Sequence, residues 1–361
     1  LIKFLHAADL HLDSPFSGLS PEKAAQRRKE QRALLQELAD CANANECRLL
    51  LLPGDLFDSD NAYPDTLEAL ARAFSACQGQ IVIAPGNHDC AVAGSAYRSA
   101  KWPENVHIFL DAKISAFEFP ELGCRVWGAG FTQPYEPSLL AGFSAPRDGV
   151  RNLMALHGDA LTPASPYNPV TRAQIEASGL DYLALGHIHE KSGLLRAGET
   201  YYAWPGCAMG RGFDETGDKG VYVGELDESG CRLRFCPLPG RRYQILTVPA
   251  GDDPLAAALA AVPAGAENDV CRLVFTGESE PLDLTALYKA LEGRFYSLTL
   301  RDETTPRVDL WAGAGEDTLR GLYLQSLRAQ YDAADEPTRR RIALAARLGA
   351  AAMDGREAPE L

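Results

Sequence analysis

A chain of 361 residues, 46% hydrophobic and 23% charged, has the make-up of an ordinary globular protein and length for two or three domains. Its 49 acidic against 35 basic residues give a net charge of −14, which excludes a uniformly basic nucleic-acid coat but not local action through bound cations. The nine cysteines show no Cys-x-x-Cys pair, no apolar run is long enough to span a membrane and no basic leader precedes the first strand, so a reduced, cytoplasmic, non-membrane setting is expected.

Taken in chain order, residues 2–5 read as a strand, and Asp9-Leu10-His11 follows it. Residues 21–45 have helical spacing with Leu34, Leu35 and Leu38 on the apolar face. The run 48–52 is a second strand leading into Gly54-Asp55. A helix over 64–77 and a strand over 81–83 come next, then Gly86-Asn87-His88-Asp89. Short strands are expected near Ile108 and at 125–127. Two buried strands, 152–156 and 182–185, lead into His157-Gly158-Asp159 and Gly186-His187-Ile188-His189. The alternation predicts an α/β layer structure with five polar loops gathered at the carboxyl ends of strands. Between 193 and 243 the strands read as antiparallel, predicting a second sheet that completes a sandwich.

Beyond Tyr243 the pattern changes to a small β-α-β unit, and residues 316–352 read as two helices broken at Pro337. The expected domains are 1–240, 241–305 and a helical segment over 306–361. Arg339-Arg340-Arg341 reads as a solvated helix face.

Five of the seven histidines lie in the short blocks that follow these strands. A lone Asp-x-His is more often a turn than a ligand; five such blocks in succession point to a dinuclear hydrolytic centre. Mixed carboxylate and imidazole donors suit Mn²⁺, with Fe²⁺, Zn²⁺ or Mg²⁺ as alternatives, and two such ions need a bridging carboxylate. Asp55 is the natural bridge. Asp9 and His11, two apart, would share one side of an extended segment. One assignment puts Asp9, His11 and His189 with Asp55 on the first ion, and Asn87, His157 and His187 with Asp55 on the second. Only two of these ligands are anionic, so the pair stays positive enough to attract a phosphodiester and acidify a water. His88, beside Asn87, is left to protonate the leaving oxygen. Asp58 is a candidate to orient His88 or raise its pKa. His6 and His107 read as structural.

The blocks, in this order from Asp9 to His189, resemble the calcineurin-like metallophosphoesterase superfamily. Within it, Phe4 to Leu12 and Gly54-Asp55-Leu56-Phe57-Asp58 look like SbcD-type DNA repair exonucleases, as does the stretch from Trp204-Pro205-Gly206-Cys207 to Lys219-Gly220-Val221. The opening His6-Ala7-Ala8-Asp9-Leu10-His11-Leu12-Asp13-Ser14-Pro15-Phe16 is especially similar to the bacterial YhaO-like branch. The resemblance implies a four-layer α/β/β/α sandwich, a small α+β capping domain over a DNA groove, and C-terminal helices that dock an SbcC-like ATPase, with a homodimer as a compatible assembly. It also implies a Mn²⁺-dependent 3′-to-5′ exonuclease with some endonuclease action. The alternatives are a phosphodiesterase for a small nucleotide or cyclic substrate, and a non-catalytic assembly subunit.

Overall fold

The computed structural model describes residues 1–307 and 309–355. The first sheet is built on β1 (Ile2–His6), β2 (Leu49–Pro53), β3 (Gln80–Ala84) and β4 (Val106–Ile108), with α1 (Pro21–Ala44), α2 (Pro64–Ala76) and the one-turn α3 (Ala96–Ser99) between them. The second contains β5 (Ser115–Phe119), β6 (Cys124–Ala129), β7 (Arg151–His157), then, after α4 (Arg172–Ala177), β8 (Tyr182–Gly186), β9 (Leu195–Ala197) and β10 (Thr200–Ala203). Strands β11 (Gly220–Asp227) and β12 (Gly230–Pro237) return to the first sheet, giving the orders β12-β11-β1-β2-β3-β4 and β5-β6-β7-β8-β10-β9.

Strand alternation explains the layering. In β2, Leu50 and Leu52 face the helix layer beside Leu35, Leu38 and Leu70, while Leu49 and Leu51 face the other sheet. In β8, Leu183 and Leu185 pack toward Ile175 of α4, and Tyr182 and Ala184 meet the inter-sheet core. Both faces of each central strand are therefore buried, which is why these strands read as continuous apolar runs. The result is the expected α/β/β/α sandwich.

One expectation is corrected. The segment between 193 and 243 is not a sheet of its own: β10 pairs parallel with β8, whereas β11 pairs antiparallel with β1. Apolar patterning marks a strand but does not say which open sheet edge will accept it.

The remaining elements are β13 (Tyr243–Pro249), α5 (Pro254–Ala261), β14 (Val270–Ser279), α6 (Leu284–Leu291), β15 (Ser297–Pro306), α7 (Leu319–Ala333) and α8 (Glu336–Met353). The three strands form a sheet in the order β13-β14-β15, so the small unit carries one strand and one helix more than its sequence pattern revealed. The chain forms two compact units: Leu1–Leu246 with Val262–Leu273 and Tyr288–Thr299, and Thr247–Ala261 with Val274–Leu287 and Leu300–Leu361. This division cuts the chain differently from boundaries at 240 and 305. Residue 308 and the end of the expected helical segment, 356–361, lie outside the described residues.

In the second unit Leu324 and Ala346 join α7 to α8, and Pro337 stands in the first turn of α8, where its missing N–H costs nothing. Of the Arg run, Arg339 turns back to donate to the Tyr331 and Asp332 carbonyls at the end of α7. Arg340 and Arg341 are exposed. Among the described residues, no helix is long and apolar enough to cross a membrane.

Candidate metal centre

All of the candidate residues stand at the carboxyl ends of β1, β2, β3, β7 and β8, at one end of the two stacked sheets. Asp9, His11, His157 and Asp55 form a buried floor, at most 1% exposed. Asn87, His187 and His189 are half-buried, and His88 is exposed at the mouth.

The loops are locked to one another by backbone contacts. Asp9 N–H donates to Gly54 O (3.2 Å) and His11 N–H to Asp55 O (2.9 Å), so the first two loops run side by side. Asp9 and His11 share a side of the site, but not by strand alternation: their φ values are +52° and +44°, those of Asp55 and His187 are +50° and +91°. The expected extended geometry is thus corrected to a run of left-handed turns, a conformation non-glycine residues rarely adopt and functional sites often hold. Gly54 (φ +93°) has a second reason to lack a side chain, since a Cβ there would meet His157 Nδ1 at 2.2 Å; one at Gly86 would meet Asp55 Oδ1 at 2.2 Å.

His11 and His157 each bring Nε2 near the same oxygen of Asp55. His11 Nε2 lies 3.3 Å from His189 Nε2 and 3.6 Å from Asp55 Oδ2. His157 Nε2 lies 3.5 Å from the same Asp55 oxygen and 2.8 Å from Asn87 Oδ1, which is 3.2 Å from His187 Nδ1. Asp9, His11 and His189 bring ligand atoms within 4.8 Å of one another, as do Asp9, Asp55 and His157, so Asp9 is common to these two groups. Asp9 also accepts from His187 N–H at 2.9 Å.

These contacts suit cations. Burial above all holds the His157 imidazole neutral, down to about 4, so it has a single N–H. Its Nδ1 faces the Pro53 carbonyl at 3.1 Å and its Nε2 faces Asn87 Oδ1 at 2.8 Å, both acceptors, and one proton cannot serve both. With Nδ1–H given to Pro53, the lone pair at Nε2 faces oxygens, an arrangement a divalent cation resolves. His11 and His189 likewise oppose two ring nitrogens. Burial lowers His189, but its bond to Glu215 and the charge of Asp9 outweigh that and raise it.

Burial is the main cause that pushes Asp9 up to about 7, with the charge of Asp55 adding to it. A carboxyl raised on folding contributes stability that is complete below about pH 4 and is lost as pH rises through about 7. In chelator, wild type is therefore expected to lose stability against urea over that window relative to Asp9→Asn, which should be the more stable protein near pH 8. Parallel curves for the two proteins would refute the assignment.

Asp58 and His88 meet differently from expectation. His88 Nδ1 lies 3.3 Å from the main-chain carbonyl of Asp58. The Asp58 carboxylate, within 4.8 Å of a His88 nitrogen, is instead 3.2 Å from His11 Nδ1 and accepts from Arg211 Nη1 (2.9 Å) and Ser14 Oγ (3.1 Å). Burial opposes its charge, yet His11 and Arg211 hold it below the usual carboxylate range. Asp58 therefore braces His11, and only its backbone touches His88.

Several residues escaped sequence reasoning. The Glu215 side chain, 2% exposed, lies 2.8 Å from His189 Nδ1 and accepts from Arg211 Nη2 (2.6 Å) and Arg211 N–H (2.7 Å). It fixes which nitrogen of His189 faces inward. Asp89 accepts from Gly86 N–H (2.7 Å), Phe57 N–H (3.0 Å) and the Tyr97 hydroxyl, tying the Asn87 loop to the Asp55 loop. From α1, Gln31 donates to His11 O (2.9 Å) and the fully buried Arg27 to Gly210 O (2.9 Å). His6 is structural, between the Tyr182 hydroxyl and Leu185 O at 3.0 Å each, and His107 pairs with Gln80 at 2.8 Å. A Glu215→Gln protein should bind the ion at His189 roughly 10- to 100-fold more weakly, the usual loss when a partner of a ligating histidine is removed. Equilibrium metal titration reads it, and unchanged affinity would remove Glu215 from the site.

The calcineurin-like phosphoesterase model matches residues 2–191. An uncharacterized metallophosphoesterase of Bacillus subtilis, YhaO, is 36% identical over 248 residues, covering 65% of this chain and 60% of that protein. The DNA double-strand break repair protein Mre11 of Saccharolobus solfataricus is 27% identical over 202 residues, 53% of this chain and 50% of that one. The SbcD component of the SbcCD nuclease of Rhodobacter capsulatus is 30% identical over 112 residues, 30% and 26% respectively. The chain thus spans less than two thirds of the length of each of these relatives.

Proposed function

The chain belongs to the calcineurin-like phosphoesterase family, which makes it a metal-dependent phosphoester hydrolase, and from that premise we propose that it is a nuclease cleaving DNA phosphodiesters. The observation that carries the hydrolytic part is the opposition of acceptor atoms around Asp55, at the shared end of two sheets. DNA as substrate draws its support from two relatives whose names are those of DNA repair and nuclease proteins. The reading extends to 3′-to-5′ exonuclease polarity with endonuclease action on single strands, Mn²⁺ as the resident ion, an SbcC-like ATPase partner and a role in DNA repair. Nine free cysteines, seven of them buried, support a reducing, cytoplasmic setting.

Asp9, His11, His189 and Asp55 would hold one divalent cation, and Asn87, His157, His187 and Asp55 the other. Two such ions, when bound, supply Lewis-acid charge and lower the pKa of a water to be used as nucleophile. The chain does the rest. Buried Asp9 and Asp55 leave the pair net positive, which attracts the phosphodiester despite a total charge of −14. The half-exposed Asn87, His187 and His189 border the opening. With Nδ1–H donated to Asp58 O, His88 can turn a protonated Nε2 toward the leaving oxygen.

The charge of −14 favours a second reading, a phosphodiesterase for a small nucleotide or cyclic diester that needs no DNA track. Purified protein with Mn²⁺ is tested on end-labelled double- and single-stranded DNA beside bis-p-nitrophenyl phosphate. Degradation of DNA from its 3′ ends supports the nuclease. Turnover of the small ester with intact DNA overturns it in favour of the second reading, and no turnover of either leaves an assembly role.

A further inference from the structure

Of the nine cysteines, seven are buried and two reach solvent, Cys41 and Cys236, and these two are neighbours. They come from distant parts of the first unit: Cys41 from the last turn of α1, Cys236 from the end of β12, the outer strand of the first sheet. Both pack against the same helix-side core, and their thiols are hydrogen-bonded to each other.

One small network holds both sulfurs. Asn45 Nδ2 donates to the Cys41 carbonyl (2.7 Å) and lies 3.7 Å from Cys41 Sγ, while its Oδ1 accepts from Arg234 Nη2 (2.5 Å). The other arm of the same guanidinium, Nη1, donates to Cys236 Sγ at 2.7 Å. Cys236 therefore has a cation against its sulfur and partial access to solvent, the surroundings in which cysteines react. Burial above all, with the neighbouring sulfur, pushes the Cys41 thiol up to about 11, so it waits as S–H. Asn45 and Arg234 also line an open surface cavity of about 400 Å³ with Lys3 and Arg232, so a small molecule reaches the network from solvent.

Two further thiols lie nearby without taking part. Cys47 is close enough for the charges of Cys41, Cys77 and Cys236 to act on it, yet burial above all pushes it up to about 12, and Cys47 and Cys77 are both buried. Among the described residues, no three of these sulfurs lie within 4.8 Å of one another, so the four do not form a metal cage. What is left is a pair, suited to a bond between sulfurs.

We infer that Cys41 and Cys236 form a reversible disulfide when a hydroperoxide reaches them. The Cys236 sulfur attacks the outer oxygen of the hydroperoxide and the O–O bond breaks. The other oxygen leaves with the thiol proton as an alcohol, or as water from hydrogen peroxide, and the sulfur is oxidised by two electrons to a sulfenic acid. The Cys41 sulfur then attacks the Cys236 sulfur, the S–O bond breaks, and hydroxide leaves with the Cys41 proton as water. Two thiols and one hydroperoxide thus give one disulfide, one water and one alcohol. A thiol reductant reverses the bond by exchange, so its transient formation is compatible with a reducing setting. The disulfide staples the end of α1 to the outer strand, and α1 is the helix whose Gln31 and Arg27 hold the His11 and Gly210 carbonyls.

The test treats the full chain with one equivalent of hydrogen peroxide, blocks the remaining thiols and maps the peptides by mass spectrometry. The expected product is a cross-link joining Cys41 to Cys236 within one chain, removed by dithiothreitol. Oxidised protein should also unfold at higher urea than reduced protein, because the bond closes a loop over most of the first unit. Cys41→Ser should stop at a Cys236 sulfenic acid that dimedone traps, Cys236→Ser should leave Cys41 unmodified, and Arg234→Ala should slow the cross-link several-fold. Treated wild type in which both thiols stay free, in which they join a second chain, or in which either bonds to a buried cysteine overturns the pair, and none of these readouts depends on a variant folding. Dimedone captured on Cys41 instead of Cys236 overturns the order of the two steps, and an unchanged rate in Arg234→Ala overturns the part given to its guanidinium.

Discussion

Asp55→Ala is expected to lower phosphodiesterase activity by about 10³-fold or more and to reduce bound metal below two ions per chain. The carboxylate stands 3.6 Å from His11 Nε2 and 3.5 Å from His157 Nε2, so its removal withdraws a donor from both sets at once. It also deletes the acceptor of His88 N–H (3.0 Å), loosening the loop that carries Asn87 and His88. Several kcal/mol of transition-state stabilisation from the ion pair translates into the stated loss. Metal analysis beside bis-p-nitrophenyl phosphate kinetics reads both effects. A variant retaining two ions and wild-type rates would dismantle the bridging assignment.

His88→Ala is expected to separate chemistry from metal binding. The ring is exposed and its centre is 4.8 Å from that of His11, close enough to meet a substrate at the mouth. Loss of a general acid costs about 10²–10⁴-fold in rate, and the cost should shrink on esters whose leaving group needs no proton. The diagnostic is therefore substrate-dependent: a large drop on DNA, a small one on a p-nitrophenyl ester, with metal content unchanged. Equal losses on both substrates would make His88 a structural or metal-binding residue.

The parts of this molecule that were legible in its sequence are those governed by local periodicity. Runs such as Leu49–Leu52 announce buried strands, and Pro337 marks the start of α8 as helix chemistry requires. The blocks that follow the strands could be located because strand ends in α/β sheets are where polar loops gather. The left-handed backbone at Asp9, His11, Asp55 and His187 was not legible, since the several-fold enrichment of aspartate and histidine at positive φ is too weak to single out a position; neighbouring loops impose it. Glu215 and Arg211 lie in a loop without periodicity, and beyond one another their partners, His189 and Asp58, are distant in the chain; the hint was a group of five charges in a glycine-rich stretch between Pro205 and Gly220. Arg27 and Gln31 gave a better one, because they fall on the same helical stripe as Leu34, Leu35 and Leu38, where a polar residue has to find a buried partner.

The candidate ligands are divided between the sheets: Asp9, His11, Asp55 and Asn87 come from the loops of the first, and His157, His187 and His189 from the second. Ions bound between them would act as rivets across the seam of the sandwich, so that occupancy and cohesion of the two halves are one equilibrium. The enzyme would then carry a built-in inspection of its own loading: a copy deprived of metal is inactive and is also the copy whose two halves part most readily, and so the first to be cleared by proteolysis.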